Sequence, residues 1–312
     1  MVFDNELIRK IKKVNEDLST AQKNTPSRLE LKEKLAEAGG IFSKIKENVN
    51  LDINLMGVDG SFNSYGANYP HQIFVFRALA KTTKGYEHVV SDVLYPMDSE
   101  VRAQITKISS EKNISQNDAM AKLIKVKLAS MEVQAALGGL EKTKPDVIFM
   151  DGSLIRYKIE DADGWGELQA KCLSNDIKLG GVIEEIGTNT LSRKIDLEGY
   201  DRETLFNLFE LYEQLTFHQI KEGLSTVFYR PSKDPHPVAM DCLTNQKEGI
   251  DELIGLASSL TPKRGRGIPV WLDIVDNEVR VTNKAINALI ENHLDEKVKR
   301  VFLSPKRDKR II

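Results

Sequence analysis

Residues 146–153, Asp-Val-Ile-Phe-Met-Asp-Gly-Ser, decide which fold the chain can adopt. A short apolar run that ends in a glycine turn is typical of a buried strand. The long segment before it has an apolar stripe at helical spacing. Ser115, followed by Asp118 three residues later, resembles an N-terminal capping box at its start, and the helix is expected to end at Gly138-Gly139. Because a helix joins this strand to the strands before it, we expect the strand to lie parallel to one of them.

Three further strands are expected ahead of the long helix. Residues 52–58, 72–80 and 87–94 alternate with a period of two or are rich in β-branched and aromatic residues, and short links join them. Short links favour an antiparallel meander. The pattern therefore predicts an α/β fold: a mixed sheet, made of an antiparallel meander plus parallel strands, flanked by helices. Residues 1–50, with apolar residues at helical spacing, are predicted to form an N-terminal helical extension to a domain over residues 51–312.

The last third of the chain continues to alternate between the two kinds of pattern. We expect strands at residues 225–229, 236–242 and 268–275, and helices at residues 202–220 and 282–294. The segment at 268–275 is a continuous apolar run, interpreted as a strand.

Composition narrows the class of protein. The 312 residues include 44 Lys and Arg against 46 Asp and Glu, for a net charge of −2. No apolar run approaches the roughly 20 residues that cross a bilayer, and residues 1–13 lack the apolar core of a signal peptide. Two cysteines, Cys172 and Cys242, are too few for a disulfide scaffold or a cysteine-based zinc site. We therefore expect a cytoplasmic enzyme or binding protein with no membrane partner.

The triplet Asp-Gly-Ser occurs twice, at residues 59–61 and 151–153, each time after an apolar run. One interpretation is that Asp-Gly is only a turn signal at two strand ends. The other is functional: on adjacent parallel strands, Asp59 and Asp151 would project side by side at the edge where open α/β sheets bind ligands. Two carboxylates that close repel each other unless a cation lies between them or one takes up a proton. Oxygen ligands without nearby Cys or His favour Mg²⁺ or Mn²⁺.

Other acidic residues are candidates to complete such a site. Glu132 lies at the edge of the helical stripe, where it faces either the sheet or solvent. Asp273 lies among apolar residues, and a buried carboxylate needs a partner. Asp276 and Asp241 are alternatives to Asp273. An Asp on the first strand, a Glu on a helix, an Asp on the fourth strand and a late Asp is the order found in ribonuclease H-like nucleases, whose carboxylates hold two divalent ions.

Three motifs carry a resemblance to a known family: Val-Asp-Gly-Ser at 58–61, Phe-Met-Asp-Gly-Ser-Leu at 149–154, and the late Pro-Val-Ala-Met-Asp-Cys at 237–242. They resemble the motifs of the NurA nucleases, from about residue 50 onward. The resemblance implies a ribonuclease H-like core related to those of Argonaute and endonuclease V. It also implies single-stranded DNA endonuclease and 5′→3′ exonuclease activity that depends on Mn²⁺ or Mg²⁺. Members of the family act as dimers on the hexameric ATPase HerA in DNA end resection, a step of DNA repair.

The resemblance also assigns roles to particular residues. Asp59 and Asp151 match the family's two metal-binding aspartates, and Glu132 matches its helical glutamate. Asp273 matches the late acidic ligand. These four residues are therefore the predicted catalytic and metal-binding set.

The basic residues depart from the family pattern. Where many members have a lysine after the next strand, this chain has Val-Ile-Glu-Glu at 182–185, so the resemblance passes that role to other cations. A basic loop late in the chain suits a polyanionic partner such as DNA. The predicted DNA-binding residues are Arg193, Lys194, Arg230, Lys263, Arg264 and Arg266.

Two other functions fit parts of the sequence. Actin-like ATPases also have phosphate loops that begin with Asp and Gly, but they carry two copies of the core and a late apolar glycine motif. Here one copy fits, and the late loop around Gly265 and Gly267 is basic. A non-catalytic DNA or protein adaptor with the same fold is the second alternative, and it predicts that the acidic residues are not gathered in space.

Overall fold

The computed structural model describes residues 3–23, 25–46, 52–217 and 223–304. The strands within these residues are β1 (Gly40–Lys44), β2 (Leu55–Gly66), β3 (Gln72–Thr82), β4 (Glu87–Leu94), β5 (Val147–Asp151), β6 (Lys178–Ile183), β7 (Glu213–Phe217), β8 (Leu224–Arg230) and β9 (Val238–Leu243). The helices are α1 (Asn5–Lys23), α2 (Arg28–Glu37), α3 (Ser99–Lys112), α4 (Gln116–Thr143), α5 (Leu154–Glu160), α6 (Ala162–Ser174), α7 (Thr190–Lys194), α8 (Asp201–Leu205), α9 (Ile250–Ser259), α10 (Val270–Val279), α11 (Asn283–His293) and α12 (Glu296–Val298). A 3₁₀ segment at Thr244–Gly249 and a π-helical turn at Lys299–Leu303 complete the elements.

One mixed sheet contains the nine described strands, in the order β1-β7-β8-β9-β6-β5-β2-β3-β4. The β2-β3-β4 meander is antiparallel, and β5 lies parallel to both β2 and β6. The strands on the other side of β6, which are β9, β8, β7 and β1, all pair antiparallel to their neighbours. The predicted mixed α/β sheet, with a meander, parallel strands and flanking helices, is confirmed.

Helices cover both faces of the sheet. Residues of α3, α4, α5 and α6 form a hydrophobic core with one face, and residues of α9 and α10 pack on the other. Alternate residues of β2 point to opposite cores, as Leu55 and Met56 do, because side chains alternate across a strand. No helix in the described parts of the chain is long and apolar enough to span a membrane.

The long helix α4 begins where the sequence predicts and ends later. Ser115 caps it by accepting a hydrogen bond from the Asp118 backbone N at 3.1 Å. The helix continues through Gly138 and Gly139 to Thr143, so the predicted end at the two glycines is wrong. A Cβ at Gly139 would lie 2.7 Å from the Met56 Cε atom, so glycine here allows α4 to lie close to the sheet.

Two apolar segments differ from their predicted type. The predicted strand at 268–275 is helix α10, whose buried residues Leu272, Val275 and Val279 lie on one helical face. A continuous apolar run fits either structure, and here packing decides. The predicted helix at 202–220 ends with α8, and β7 follows. Residues 218–220 of that segment lie outside the described residues.

The N-terminal segment is only partly helical. After α1 and α2, β1 joins the edge of the sheet by pairing with β7, so residues 40–44 are a strand rather than helix. Leu31 and Leu35 of α2 are buried in the same hydrophobic cluster as residues of β7 and β8. Residues 47–51 lie outside the described residues, and the predicted domain boundary after residue 50 stays a prediction.

Candidate active site

The two Asp-Gly-Ser triplets meet at the centre of the sheet. Val58 of β2 pairs with Met150 of β5 in parallel register, so the next residues, Asp59 and Asp151, lie side by side. Beyond this point β5 ends, whereas β2 continues along β3 to Gly66. The predicted stop of β2 before Asp59 is wrong, because β3 pairs with its whole length. Beyond Asp59, β2 therefore continues without its parallel neighbour, at the strand end where open α/β sheets bind ligands.

Burial and mutual repulsion act on this pair of carboxylates. Burial, followed by the negative charges of Asp151 and Glu132, raises the pKa of Asp59 to about 8, although the Gly60 backbone N donates to its Oδ1 at 2.7 Å. Burial also raises the pKa of Asp151, against the lowering effect of the Arg156 guanidinium. Without a cation, Asp59 therefore holds a proton at neutral pH, as expected for crowded carboxylates.

Glu132 reaches the same place from α4. Its side chain is only 1% exposed and faces the sheet. Its Oε2 accepts hydrogen bonds from the Tyr157 hydroxyl at 2.7 Å and from Arg156 Nη2. Burial raises the pKa of Glu132 to about 7, even though the Arg156 charge lowers it. Of the two placements left open by the sequence, at the sheet or in solvent, the buried one is present.

Arg156 and Tyr157 were not predicted from the sequence. Tyr157 is fully buried, and its hydroxyl lies 2.7 Å from Glu132 Oε2 and 3.2 Å from the Asp151 carbonyl oxygen. Arg156 Nη2 donates to the same hydroxyl at 2.8 Å. Both residues belong to α5, which starts three residues after Asp151. The one signal in the sequence is an Arg-Tyr pair in the first turn after the second triplet.

Asp241 holds the second triplet in place. Its carboxylate accepts hydrogen bonds from Ser153 Oγ at 2.5 Å, the Leu154 backbone N at 3.0 Å and Thr226 Oγ1 at 2.6 Å. Gly152 has a φ of +89°, which favours glycine. Asp241, one alternative for the last metal ligand, therefore anchors the turn that carries Asp151.

The first triplet is not a turn at all, since β2 runs through it. A Cβ at Gly60 would lie 2.5 Å from Glu132 Oε1, so glycine at this position lets Glu132 approach the strand. Ser61 Oγ accepts a hydrogen bond from the Val281 backbone N at 3.0 Å and ties the segment after α10 to β2. The two triplets thus share an aspartate at the site but differ in what the glycine and serine do.

Asp273, the predicted late ligand, is engaged by an arginine. It accepts a hydrogen bond from Arg266 Nη2 at 2.5 Å, and Arg266 Nη1 donates to Glu184 at 2.7 Å. The Arg266 charge also lowers the pKa of Asp151, which is otherwise raised by burial. Arg266 thus joins Asp273 to Glu184 and places a positive charge near Asp151.

Asp276 lies one turn further along α10. It pairs with Arg280, and its negative charge contributes to the raised pKa values of both Asp59 and Asp151, whose main cause is burial. Asp276 is therefore the acidic residue of α10 whose charge acts on both Asp59 and Asp151.

The carboxylate oxygens of the site are the kind of ligand that a hard divalent cation prefers. Within the described ranges, no three His, Cys, Asp or Glu side chains are placed to hold one ion together. Glu132 is directed at Arg156 and Tyr157, so the guanidinium supplies the positive charge that this carboxylate needs. The donors are all oxygen, and the protonated Asp59 beside Asp151 is a pair that a cation would allow to ionise fully.

Of the predicted DNA-binding residues, Arg230 lies on β8, and Arg193 and Lys194 lie on α7. Arg230 has a structural role: its guanidinium donates to the backbone carbonyls of Phe209, Lys233 and Asp234. The Lys194 ammonium lies 4.3 Å from the centre of the Phe217 ring. Arg193 is exposed on α7. Within the described residues, none of these three side chains forms a hydrogen bond with Asp59, Asp151 or Glu132.

The other three lie on the loop between α9 and α10. Lys263 and Arg264 are exposed, whereas Arg266 binds Glu184 and Asp273, and its charge opposes the rise that burial causes in the pKa of Asp151. The structure therefore brings one of the six predicted cations to the site and adds Arg156, which the sequence analysis missed.

Both the sequence and the fold of this chain match known proteins. The family model of the NurA domain matches residues 54–281. The crystal structure of the NurA nuclease from Sulfolobus solfataricus is similar over 94% of this chain and 99% of that chain, with a TM-score of 0.59 and 13% identity. The catalytic domain of human endonuclease V covers 84% of this chain and 95% of its own, with a TM-score of 0.38 and 13% identity. No curated protein sequence matches significantly.

Proposed function

The chain belongs to the NurA family, and we propose that it is a metal-dependent DNA nuclease that hydrolyses phosphodiester bonds. The observation that carries this proposal is the buried pair of Asp59 and Asp151 on adjacent parallel strands, with Glu132 beside them. A protein rarely keeps three carboxylates together in its interior unless a cation or a reaction uses them.

We propose that Asp59, Asp151 and Glu132 bind two Mn²⁺ or Mg²⁺ ions, with one carboxylate of α10 as the last ligand. Asp273 is the candidate from the sequence, and Asp276 is favoured by its effect on the pKa values of the pair. Such ions, when bound, activate an attacking water and stabilise the leaving 3′ oxygen.

The chain's own residues prepare the site in three ways. Tyr157 and Arg156 hold the Glu132 carboxylate and keep it in place. Asp241 fixes the turn that presents Asp151. Arg156 and Arg266 put guanidinium groups near the pair, and a guanidinium can bind two oxygens of a phosphate at once, so we propose that they hold the scissile phosphate.

The finer assignments rest on the resemblance described above. We propose that the protein acts in the cytoplasm on single-stranded DNA and resected ends, as an endonuclease and a 5′→3′ exonuclease in double-strand-break repair. We further propose that it works as a homodimer with a HerA-type hexameric ATPase. Family membership supports these assignments. The adaptor alternative predicts that the acidic residues are scattered. It is not favoured, because the charges of Asp151 and Glu132 add to the effect of burial in raising the pKa of Asp59, so the three carboxylates lie close together.

The decisive experiment is cleavage of single-stranded DNA labelled at either end, with Mn²⁺, Mg²⁺ or EDTA. We expect metal-dependent cleavage that falls at least 100-fold in Asp59→Asn and in Asp151→Asn, since each removes a charged ligand (about 2.7 kcal/mol of barrier). Asp163→Asn, on the exposed side of α6, is the matched control and should cut normally. Wild-type rates in both site variants would refute the proposed centre.

A further inference from the structure

A small cavity lies beside the candidate active site. It encloses about 180 Å³, which is below the range of about 300–1,000 Å³ typical of pockets for drug-sized ligands, so it has room for one ring system. Arg266 and Glu184, which bind each other, both line it, and Arg266 also binds Asp273. Glu184 comes two residues after Val182, the partner of Asp151 in the sheet. The cavity is therefore next to the strand end that carries Asp151.

One wall of this cavity is aromatic. The imidazole of His236 lines it, and the ring of Phe206 packs on this imidazole with 4.8 Å between the ring centres. Leu205 and Pro237 add apolar surface to the lining. Surface of this kind binds planar rings, and stacking of one nucleic-acid base on an aromatic side chain strengthens binding by about tenfold.

A carboxylate oxygen is open to a ligand at the same wall. Asp234 lines the cavity, and its Oδ1 accepts a hydrogen bond from the His236 backbone N at 2.8 Å. Within the described residues, Asp234 Oδ2 accepts no hydrogen bond and forms no ion pair. The carboxylate is thus held through one oxygen, and the other can accept hydrogen bonds from a bound molecule.

The loop that carries Asp234 and His236 is fixed by its own hydrogen bonds. The Arg230 guanidinium donates to the carbonyl oxygens of Lys233 and Asp234. The Lys233 backbone N donates to the Lys263 carbonyl oxygen at 2.9 Å, which joins this loop to the loop between α9 and α10. A wall that is already ordered loses little conformational freedom when it binds a ligand.

The charges of the cavity favour a neutral ligand over a phosphate. Its lining includes three carboxylates and two guanidinium groups, which belong to Glu184, Glu185, Asp234, Arg202 and Arg266. Arg202 pairs with Glu185, and Arg266 pairs with Glu184. The Asp234 carboxylate is therefore left without a basic partner in the lining, and it would repel a phosphate. A neutral ring with N–H donors on its edge suits this surface.

We propose that this cavity binds one base of the DNA strand near the scissile phosphate, and that it prefers guanine. The base stacks on His236 and donates hydrogen bonds to Asp234. Guanine presents two neighbouring donors, N1–H and the N2 amino group. Cytosine and adenine present one amino group beside a ring-nitrogen acceptor, and thymine presents N3–H between two carbonyl oxygens that a carboxylate repels.

The expected order of preference is therefore guanine, then cytosine and adenine, then thymine. This inference rests on the proposed function, because it adds a base-selecting subsite to the same site.

The first test measures binding without cleavage. Short strands of dT with one central dG, and strands of dT alone, are compared by fluorescence anisotropy in EDTA, and the single dG avoids quadruplexes. We expect the wild-type protein to bind the dG strand about tenfold more tightly. Asp234→Asn keeps an oxygen for the His236 backbone N but replaces the open oxygen by an amino group, so this ratio should fall to about one. His236→Ala should lower it similarly.

The second test maps where the strands are cut in Mn²⁺. When dG is moved along a dT strand, a preferred cut should move with it at a constant distance in nucleotides. In Asp234→Asn the cut should no longer follow dG. Asp163→Asn and His293→Ala, exposed on α6 and α11, are the matched controls and should keep the wild-type preference. Thermal unfolding of each variant checks that the fold is retained.

A wild-type protein that binds and cuts both strands alike would overturn the proposal. So would a dG preference that persists in Asp234→Asn and His236→Ala. The two proposals fail separately in these experiments. Metal-dependent cutting without base preference removes the base subsite and leaves the nuclease. Binding of dG that depends on Asp234 and His236, without cutting in any metal, removes the nuclease and leaves the base subsite.

Discussion

At the scale of single residues, Tyr157 joins the acidic residues of the site. Its hydroxyl contacts Glu132 and the backbone of Asp151, and it is held by Arg156. A buried carboxylate that loses a hydrogen-bond donor is left with part of its charge unsatisfied, which costs about 1–3 kcal/mol. Glu132 should then ionise less readily and be held less firmly.

We therefore expect Tyr157→Phe to lower kcat by roughly tenfold to 100-fold while single-stranded DNA binds as before. Because the Tyr157 hydrogen bond lowers the pKa of Glu132, its loss should also move the acid limb of the pH–rate profile upward. Tyr229→Phe is the matched control, since Tyr229 is fully buried and its hydroxyl makes no hydrogen bond within the described residues. An unchanged kcat in Tyr157→Phe would remove Tyr157 from the site.

The raised pKa of Asp59 predicts how stability depends on pH. In the folded protein Asp59 keeps its proton to about pH 8, whereas in the unfolded chain it ionises near pH 4. Between these values the unfolded state gains stability by losing the proton and the folded state does not. The free energy of unfolding should therefore fall as the pH rises from about 4 to about 8, by a few kcal/mol from this residue.

Thermal unfolding in EDTA at pH 5.5 and at pH 8, with the same scans in Mn²⁺, measures this effect. We expect the wild-type midpoint to drop towards pH 8 by several degrees more than the midpoint of Asp59→Asn, which has no proton to lose. Mn²⁺ should remove most of the wild-type drop, since a cation stabilises the ionised pair. Equal pH slopes in the two proteins would show that Asp59 is not protonated.

At the scale of elements, helix α10 carries two acidic residues with different surroundings. Asp273 is bound by Arg266, whereas the charge of Asp276 acts on both Asp59 and Asp151. We expect Asp276→Asn to raise the Mn²⁺ concentration for half-maximal cleavage by about tenfold or more, as loss of a metal ligand would. Asp273→Asn should leave the metal dependence nearly unchanged and instead raise KM, because it alters how Arg266 is held.

Glu278→Gln on the same helix is the matched control, because Glu278 pairs with Lys81 on the neighbouring strand. Titration of Mn²⁺ in cleavage assays of the three variants ranks them. The opposite ranking, with Asp273→Asn losing metal affinity and Asp276→Asn unaffected, would assign the last ligand to Asp273, as the sequence analysis did.

The sequence predicted those elements whose signals are local. The cap at Ser115, the three strands of the meander and the strand before Asp151 follow from patterns a few residues long, and the repeated triplet located both aspartates. The nature of α10 could not be predicted in this way, because a continuous apolar run has no period that separates helix from strand. Packing of Trp271 and Val275 over Gly57 accompanies the helix.

The parts of the site that were missed depend on contacts between distant segments. In the sequence, Arg156 and Tyr157 resemble an ordinary surface residue and an ordinary core residue of a short helix. Their role depends on their contacts with Glu132, which lies on α4. Likewise, the roles of Asp241 and Arg230 are fixed by partners far from them in the sequence or on loops. A single sequence contains no record of such pairs.

At the scale of the whole molecule, the loop between α9 and α10 combines the site with a larger basic surface. Lys263 and Arg264 are exposed on the same loop as Arg266, which binds Asp273 of α10. A single strand that passes over this loop would release counterions from its phosphates, and that part of the binding energy depends on salt. The loop is thus suited to hold DNA next to the site without taking part in the reaction.

We expect Lys263→Ala/Arg264→Ala to weaken binding of single-stranded DNA by about tenfold at low salt. The slope of log K against log salt should become shallower by about 1.4, since each phosphate contact on a single strand contributes about 0.7. The deficit should shrink as salt rises, because the lost contacts are the salt-sensitive ones. Cleavage at saturating DNA should stay near the wild-type rate, since neither residue touches the carboxylates.

Fluorescence anisotropy with a labelled oligonucleotide at several salt concentrations, in EDTA to prevent cleavage, gives both the affinity and the slope. Lys107→Ala/Lys112→Ala removes the same charge from α3, a helix that packs on α4, and should leave the slope close to that of the wild type. If the two double variants lose affinity equally, net charge rather than the position of the loop determines binding. A loss confined to the loop variant places the DNA strand over the loop between α9 and α10, next to the candidate site.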